Sequence, residues 1–393
     1  MTPAILALNA GSSSLKFGLF KDADQLPLLF KGQIDGIGSN AHFSVVNPHG
    51  EHLVDEVCQH ISDQACALAH LGQWLSQFKT QFTLSGVGHR IVHGGRDFHC
   101  AVTITPDIIE CLTKLTPLAP LHQPHNLAAI NTIAKRMPDI PQVACFDTAF
   151  HRTQNKLAQR FALPREYYER GIQRYGFHGT SYEWISLRLK TLAPALAQAK
   201  VVVAHLGSGA SLCAMVNGKS VETTMGFTAL DGLPMGTRCG ALDPGVLLYL
   251  MQTEWLNAEQ IQDLLYTRSG LLGLSGISND LRVLSDHDAS EAREAIDYFV
   301  YHIVAKIGSL AASMGGIDGL VFTAGIGENS AAIRRDVCKG LAFLGIHIDS
   351  VANDNAKQEQ CLSPAGAPKP VWVIPTNEEC MIAHHTQQCL AQL

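Results

Sequence analysis

Two segments half a chain apart share one pattern, and that pattern limits what this sequence can fold into. Residues 5–17 read ILALNAGSSSLKF and residues 201–215 read VVVAHLGSGASLCAM. Each has four apolar residues, one polar residue (Asn9 or His205), then x-Gly-Ser, small residues, and Ser-Leu shifted by one place. Asn9 and His205 are 196 positions apart (205 − 9) in a chain of 393. An apolar run ending in a Gly/Ser tip reads as a strand entering a tight hairpin, so the sequence predicts a duplicated α/β unit. A third turn of the same kind, FTAGIGEN at 322–329, adds to this. Glycine-rich backbone lets N–H groups approach an anion closely, and such tips around one cleft imply a polyphosphate. The spacing is not the G-x-x-x-x-G-K-[ST] of a P-loop.

Strands alternate with helices along the chain, which makes the class α/β. Strands are expected at AILALN and LKFGLF, near 28–34 and 42–46, and at GVGHRIVHGG, IPQVACFDTAFH, KVVVAHLG, GLVFT and VWVIP. Ile61, Ala65, Leu68, Leu71, Leu75, Phe78 and Phe82 recur at spacings of three and four and predict a helix over 60–82. Further helices are expected near 124–136 and, behind a Thr180/Glu183 capping box, over 181–192. Asp243-Pro244 reads as an N-cap, and Asp288 with Glu291 as the cap of a long helix reaching Met314. Ile296, Phe299, Ile303, Ile307 and Leu310 form its inward face. The expected division is 1–150 and 151–376, with the last helix, 377–393, packing back on the first domain.

Composition narrows the function. Hydrophobic residues make up 46% and charged residues 16%, enough apolar material for large cores and too little charge for disorder. A net charge of −6 without a basic run argues against nucleic acid, so an anionic ligand must be met by local arginines and helix N-termini. Eleven cysteines, odd in number and without a C-x-x-C pair, suggest reduced thiols rather than a disulfide framework. A strand beginning by residue 4 leaves no room for a signal peptide, and no apolar run approaches the ~20 residues of a membrane span. The expectation is a cytoplasmic protein with no membrane partner.

Nine blocks in order carry a resemblance: LNAGSSSLKF, GHRIVHGG, PLAPLH, FDTAFH, RYGFHGTSY, HLGSGAS, MGFTALDGLPMGTRCGALDPG, FTAGIGEN and IPTNEE. From end to end the chain resembles the acetate kinase family of the actin-like ATPase superfamily. The resemblance implies two ribonuclease H-like domains around a central nucleotide cleft, the second carrying nucleotide binding and dimerisation. It also implies a homodimer, closure of the domains over the cleft, and reversible phosphoryl transfer between ATP and a short carboxylate. The substrates would be ATP/ADP and acetate/acetyl phosphate, with Mg2+ as the metal and Mn2+ as a substitute.

That chemistry has its own logic. A carboxylate is ionised at pH 7 and needs no general base. Catalysis then rests on aligning two anions and neutralising charge on the transferring group. By the resemblance, Arg90 meets the acid's carboxylate, for which a guanidinium fork is suited. Arg238 and His178 stabilise the transferring phosphoryl, and Asp147 orients metal-bound water or substrate. Asn9 and Glu378 are the metal-linked pair, and Val92, Leu121 and Phe177 line the acyl pocket. Nucleotide binding falls to Lys16, His205, Leu206, Gly207, Ser208 and Gly209, to Asp280, Leu281 and Arg282, and to Gly325, Ile326, Gly327, Glu328 and Asn329. His122 matches a position near the phosphates. Without the resemblance each has a plainer reading: Arg238 as partner of Asp231 or Asp243, Asp147 as a turn cap, Glu378 as a helix-dipole carboxylate, and the apolar residues as core.

The chain departs from the family's blocks at Ser208 (usually Asn), Ala229 (usually Pro), Cys239 (Ser), Ala241 (Asp) and Tyr182 (His). Ala229 removes side-chain volume and a backbone constraint beside the acyl pocket, so propionate should be tolerated better than in a proline-bearing relative. Two rival readings use related machinery: a propionate or butyrate kinase, and a sugar kinase with Asp147 as general base. A third, from another class, is a non-catalytic or polymerising nucleotide module, which would bind ATP without forming an acyl phosphate. The paired Arg90 and Arg238 argue against it.

Overall fold

The computed structural model describes residues 1–11 and 13–393; Ser12, in the first Gly/Ser tip, lies outside the described residues. The chain divides into two compact units, Met1–Phe150 with Asn377–Leu393, and His151–Thr376.

The described strands of the first unit are β1 (Thr2–Ala10), β2 (Ser14–Lys21), β3 (Leu28–Asp35), β4 (His42–Val46), β5 (His52–Val57), β6 (Phe82–Ile91), β7 (Val102–Thr103) and β8 (Gln142–Phe146). They form one sheet in the order β5-β4-β3-β2-β1-β6-β8-β7. Alternation along β1 explains its two covered faces. Leu6 and Leu8 join Phe17, Phe43, Leu68, Leu71 and Trp74 on one side, while Ile5 and Ala7 join Val143, Cys145, Ile382 and Ala383 on the other. The first face is closed by the helix Gln64–Ser76 and the second by the last helix, Glu378–Leu390. A Cβ at Gly88 would collide with Thr386 and Ile382, and one at Gly86 with Leu390, so glycine on β6 lets that last helix seat closely.

The described strands of the second unit are β9 (Lys200–Leu206), β10 (Ala210–Val216), β11 (Lys219–Thr223), β12 (Gly319–Thr323), β13 (Gln360–Cys361) and β14 (Val371–Val373), in the order β11-β10-β9-β12-β14-β13. Its five-strand core repeats that of the first unit. In β3-β2-β1-β6-β8 and in β11-β10-β9-β12-β14 the first two pairings are antiparallel and the last two parallel. The repeated sequence pattern therefore forms the same hairpin twice, β1-β2 and β9-β10, with Asn9 and His205 near equivalent strand ends. The 25-residue helix Ser290–Met314 buries Ile296, Phe299, Ile303, Ile307 and Leu310. Among the described residues, no helix is long and apolar enough to cross a membrane.

Several local expectations change. The helix read over 60–82 is Gln64–Ser76, capped by Asp63, whose side chain accepts from Cys66 N; Phe82 already belongs to β6. Thr180 is not the N-cap: the helix is Gly179–Leu192, entered through His178 at φ 57. Asp243 caps Pro244–Gln252 as expected, but the long helix starts behind Ala289 without a side-chain cap. GIGEN does not merely precede a helix. It forms the short helix Ala324–Asn329, which a second one, Ala331–Gly340, follows.

Candidate active site

In the first unit four polar side chains meet at the carboxyl ends of parallel strands, where open α/β sheets gather ligands. Asn9 comes from β1, Arg90 from β6, Asp147 from just beyond β8, and Glu378 from the first turn of the last helix. Arg90 donates through Nε to Asp147 Oδ1 (2.9 Å) and through Nη2 to Oδ2 (2.6 Å). Its Nη1 donates to Asn9 Oδ1 (3.1 Å), and Asn9 Nδ2 donates to Glu378 Oε2 (3.1 Å). Burial pulls the Arg90 guanidinium down, but the carboxylates of Asp147, Glu378 and Glu379 outweigh it and hold it well above its ordinary value. The array is anchored from behind. Asn126 accepts from Val92 N (3.1 Å) and donates to Ala10 O (3.0 Å), and Gln64 donates to Gly11 O (2.6 Å) and Ser14 O (3.0 Å), pinning the hairpin tip.

The donors beside Arg90 suit a hard dication. The Asn9 amide oxygen and the Glu378 carboxylate both lie beside Arg90, the first accepting from Nη1 and the second 3.9 Å from Nε, with a second carboxylate, Asp147, on the same arginine. Mg2+ takes few protein oxygens and keeps its remaining ligands from water and phosphate, so this donor set fits it.

In the second unit His178 and His205 lie ring on ring, 4.1 Å between centroids. His178 Nδ1 shares a hydrogen with Ser211 Oγ (2.8 Å), which also bonds the Tyr182 hydroxyl. His205 Nδ1 pairs with Ser181 Oγ (2.8 Å), and Ser181 pairs with Thr376 Oγ1 (2.8 Å). A Cβ on Gly209 would stand 3.3 Å from His178 Nε2 and 3.9 Å from Arg238 Nη1, so the bare backbone of Gly209 lies beside both groups. Arg238 Nη1 donates to Ala229 O (2.9 Å). Its sequence-level alternatives are engaged elsewhere: Asp231 with Arg174 (3.1 Å) and Asp243 at a helix cap. His178, a non-glycine residue held in the left-handed region, carries backbone strain of about 1–3 kcal/mol, a feature that clusters at active sites.

Beside this group the second unit has a cavity of about 830 Å³. Gly207 and Ser208 line it from the β9-β10 tip, Asp280, Leu281 and Arg282 from one side, and Gly325, Ile326 and Asn329 from another. Asp280 caps the short helix Leu281–Ser285, and the Arg282 side chain, followed by its N–H, holds the Asp280 carboxyl below the usual range. Leu206 is core; Glu328 turns to accept from Thr376 N (3.0 Å), and Gly327 packs beside Phe322. Lys16 is exposed on β2, paired in register with Asn9. Val92 and Leu121 belong to the first unit and Phe177 to the second, where it is buried. His122 precedes the helix Gln123–Arg136.

Sequence reasoning missed Met235, Asn279, Phe299 and Ser330 among the cavity's walls. It also missed Arg334, fully buried, which donates to Gly327 O (3.0 Å), Glu328 O (2.7 Å) and both oxygens of Asn353. Arg334 thus holds the carbonyls that the short GIGEN helix leaves open, and no local motif announces it.

These two sheets and their strand-end sites are those of an actin-like ATPase fold. The pattern of the Acetokinase family matches residues 4–384. An acetate kinase of Rhodopseudomonas palustris is 50% identical over 391 residues, covering 98% of each chain. The crystal structure of Porphyromonas gingivalis acetate kinase is 38% identical with a TM-score of 0.87, covering 99% of this chain and 100% of that one. A propionate kinase from Francisella tularensis is 36% identical with a TM-score of 0.90, covering 98% and 99%. The chain belongs to the acetokinase family. It is an enzyme, a kinase whose phosphoryl acceptor is a carboxyl group.

Proposed function

We propose that the chain transfers the γ-phosphoryl group of ATP to acetate, reversibly, by direct in-line displacement, giving acetyl phosphate and ADP. The observation that carries this is the joined array of Arg90, Asp147, Asn9 and Glu378, with its single guanidinium among carboxylates. Acetate arrives charged, so the array needs to hold an anion rather than remove a proton. Three of the five Arg90 N–H groups are engaged by Asp147 and Asn9, and its Nη1/Nη2 end retains donors for the acid. Asp147 fixes that guanidinium in the plane required. Val92 and Leu121, of the same unit as Arg90, bound the methyl group.

ATP takes the cavity of the second unit, its phosphates running over Gly207–Gly209 and GIGEN, with His205 as a further phosphate contact. Arg238 and His178, adjacent at Gly209, donate to the equatorial oxygens of the transferring group as it flattens. Asn9 and Glu378 would hold Mg2+, with Mn2+ as a substitute, and the ion neutralises phosphate charge when bound.

The helix Pro244–Gln252 supports a homodimer. None of its residues is buried, and Leu242, Val246, Leu248, Tyr249, Met251 and Trp255 are all exposed on or beside it. A cluster of that kind on a monomer marks an interaction surface. An ATP-using enzyme with eleven free cysteines suits a reducing compartment, and we assign it to the cytoplasm.

Trapping acyl phosphate with hydroxylamine, in the presence of ATP, Mg2+ and a series of carboxylates, tests the reading. Acetate should give hydroxamate, and Arg90→Ala or Arg238→Ala should abolish it in folded protein. Near-normal turnover in either variant removes that residue's role. The similarity to a propionate kinase favours one second reading, a longer acid as true substrate, which the same series separates.

A further inference from the structure

Away from the residues assigned to the reaction, the first unit carries a cluster of metal-ligating side chains. Glu56 lies near the end of the outermost strand β5, Cys58 follows that strand, and His70 projects from the helix Gln64–Ser76. Cys58 Sγ stands 3.7 Å from His70 Nε2 and 3.6 Å from Glu56 Oε1, and His70 Nε2 stands 3.5 Å from the same Glu56 oxygen. Zinc binds sulfur at about 2.3 Å and nitrogen or oxygen at about 2.0–2.1 Å. At tetrahedral angles those lengths separate sulfur from nitrogen or oxygen by about 3.6 Å, and nitrogen from oxygen by about 3.3 Å. The three atoms therefore already mark one face of a coordination tetrahedron.

Two further contacts prepare the site. His60 Nε2 meets His70 Nδ1 at 3.2 Å, and a hydrogen on Nδ1 leaves the lone pair of His70 Nε2 directed at the cluster. The Phe43 ring packs against His70 at 4.9 Å and 88°, fixing the plane of the imidazole. Cys58 is 3% exposed, whereas the Glu56 side chain is 54% exposed, so one side is anchored and the other reachable. Burial, and then the facing Glu56 carboxylate, raise the thiol. A dication reverses that unfavourable meeting of two anionic ligands, because thiolate and carboxylate are both stabilised by it.

We propose that Glu56, Cys58 and His70 bind one Zn2+ ion, with water as fourth ligand, and so tie the outer strand of the first unit to its helix. Thiolate and imidazole select a borderline-soft ion over Mg2+, which separates this site from the nucleotide's metal. The ion acts on stability, since a ligand bound only by the folded state raises the folded population.

Chelator-treated protein titrated with Co2+ in excess Mg2+ should show a sulfur-to-cobalt charge-transfer band saturating at one equivalent and displaced by Zn2+. Cys58→Ser should lose the band. Glu56→Gln and His70→Gln should bind Zn2+ about tenfold or more weakly by competition with a chromophoric chelator, and Zn2+ should raise the Tm of the parent but not of Glu56→Gln. Kinase activity with Mg2+ alone should be unchanged in all three. If Cys58→Ser does not fold, the exposed Glu56 position still decides the matter. No band at one equivalent, a band that survives Cys58→Ser, or Zn2+ affinity unaltered in Glu56→Gln and His70→Gln overturns the proposal.

Discussion

Arg90 and Asp147 meet fork to fork, with Nε–Oδ1 at 2.9 Å and Nη2–Oδ2 at 2.6 Å. Asp147 is buried and the Arg90 side chain is one-fifth exposed. Removing one member of such a pair strands the other's charge, at about 3–5 kcal/mol for full burial, and the partial exposure points to the lower end. Asp147→Ala should therefore lose about 3 kcal/mol in urea denaturation, and adding Arg90→Met should restore part of it. Strict additivity of the two losses would show that the pair is not energetically coupled. Arg90→Lys keeps the charge without the planar fork, so KM for the acid should rise about tenfold or more.

His89 gives a pH dependence with a definite sign. Burial pushes its imidazole down to about 4, and the hydrogen bond to Gln142 (2.8 Å), which acts the other way, does not offset this. Above pH ~6.5 the ring is neutral in both folded and unfolded chains and contributes nothing. Between 6.5 and about 4 the unfolded chain binds the proton and the folded one does not, so stability falls as pH falls. Parent protein should lose about 2 kcal/mol more than His89→Leu between pH 7 and pH 5, measured by denaturant midpoints. Equal losses in the two proteins would mean that the ring is protonated in place.

Ser211 is a positioning residue for His178. It is wholly buried and bonds both His178 Nδ1 and the Tyr182 hydroxyl. On the proposed mechanism, in which His178 donates to the transferring phosphoryl, Ser211→Ala should lower kcat about tenfold or more with little change in the KM of either substrate. Thr at this position should recover part of kcat. A rise in KM for ATP at constant kcat would instead make Ser211 part of nucleotide binding.

Ala229 gives its carbonyl to Arg238 at 2.9 Å. Proline keeps a carbonyl, so Ala229→Pro can preserve that contact while adding volume and fixing φ. The ratio of kcat/KM for acetate over propionate should rise about threefold or more, within the range a single methylene commands. An unchanged ratio would show that this segment does not limit acid size.

What could be read in the sequence was whatever repeats or alternates locally. The β1-β2 and β9-β10 hairpins were legible because their apolar runs end in Gly/Ser tips, and Ser290–Met314 because its inward residues recur every three or four places. Strand β5 was not, since five of its six residues are exposed and leave no alternation. The first helix was read too long because Phe78 and Phe82 continue its spacing, although Phe82 is buried from a strand. Periodicity reports burial before it reports backbone. The resemblance singled out Asn9, Arg90, Asp147 and Glu378, but their hydrogen bonds span up to 369 positions and have no local signature. Ser211 and Arg334 went unseen because each acts on residues placed by the fold rather than by neighbouring sequence.

The last helix belongs to the first unit, while the whole of the second lies between them in the chain. On the ribosome the second unit can close as soon as Thr376 has emerged. The first must wait with Ile5, Ala7, Val143 and Cys145 uncovered until Ile382 and Ala383 follow. Premature termination after residue 376 would thus leave a finished nucleotide-sized cavity beside a sheet with one open greasy face and no Glu378. Quality control would meet such a product as a sticky fragment rather than as a weakened enzyme.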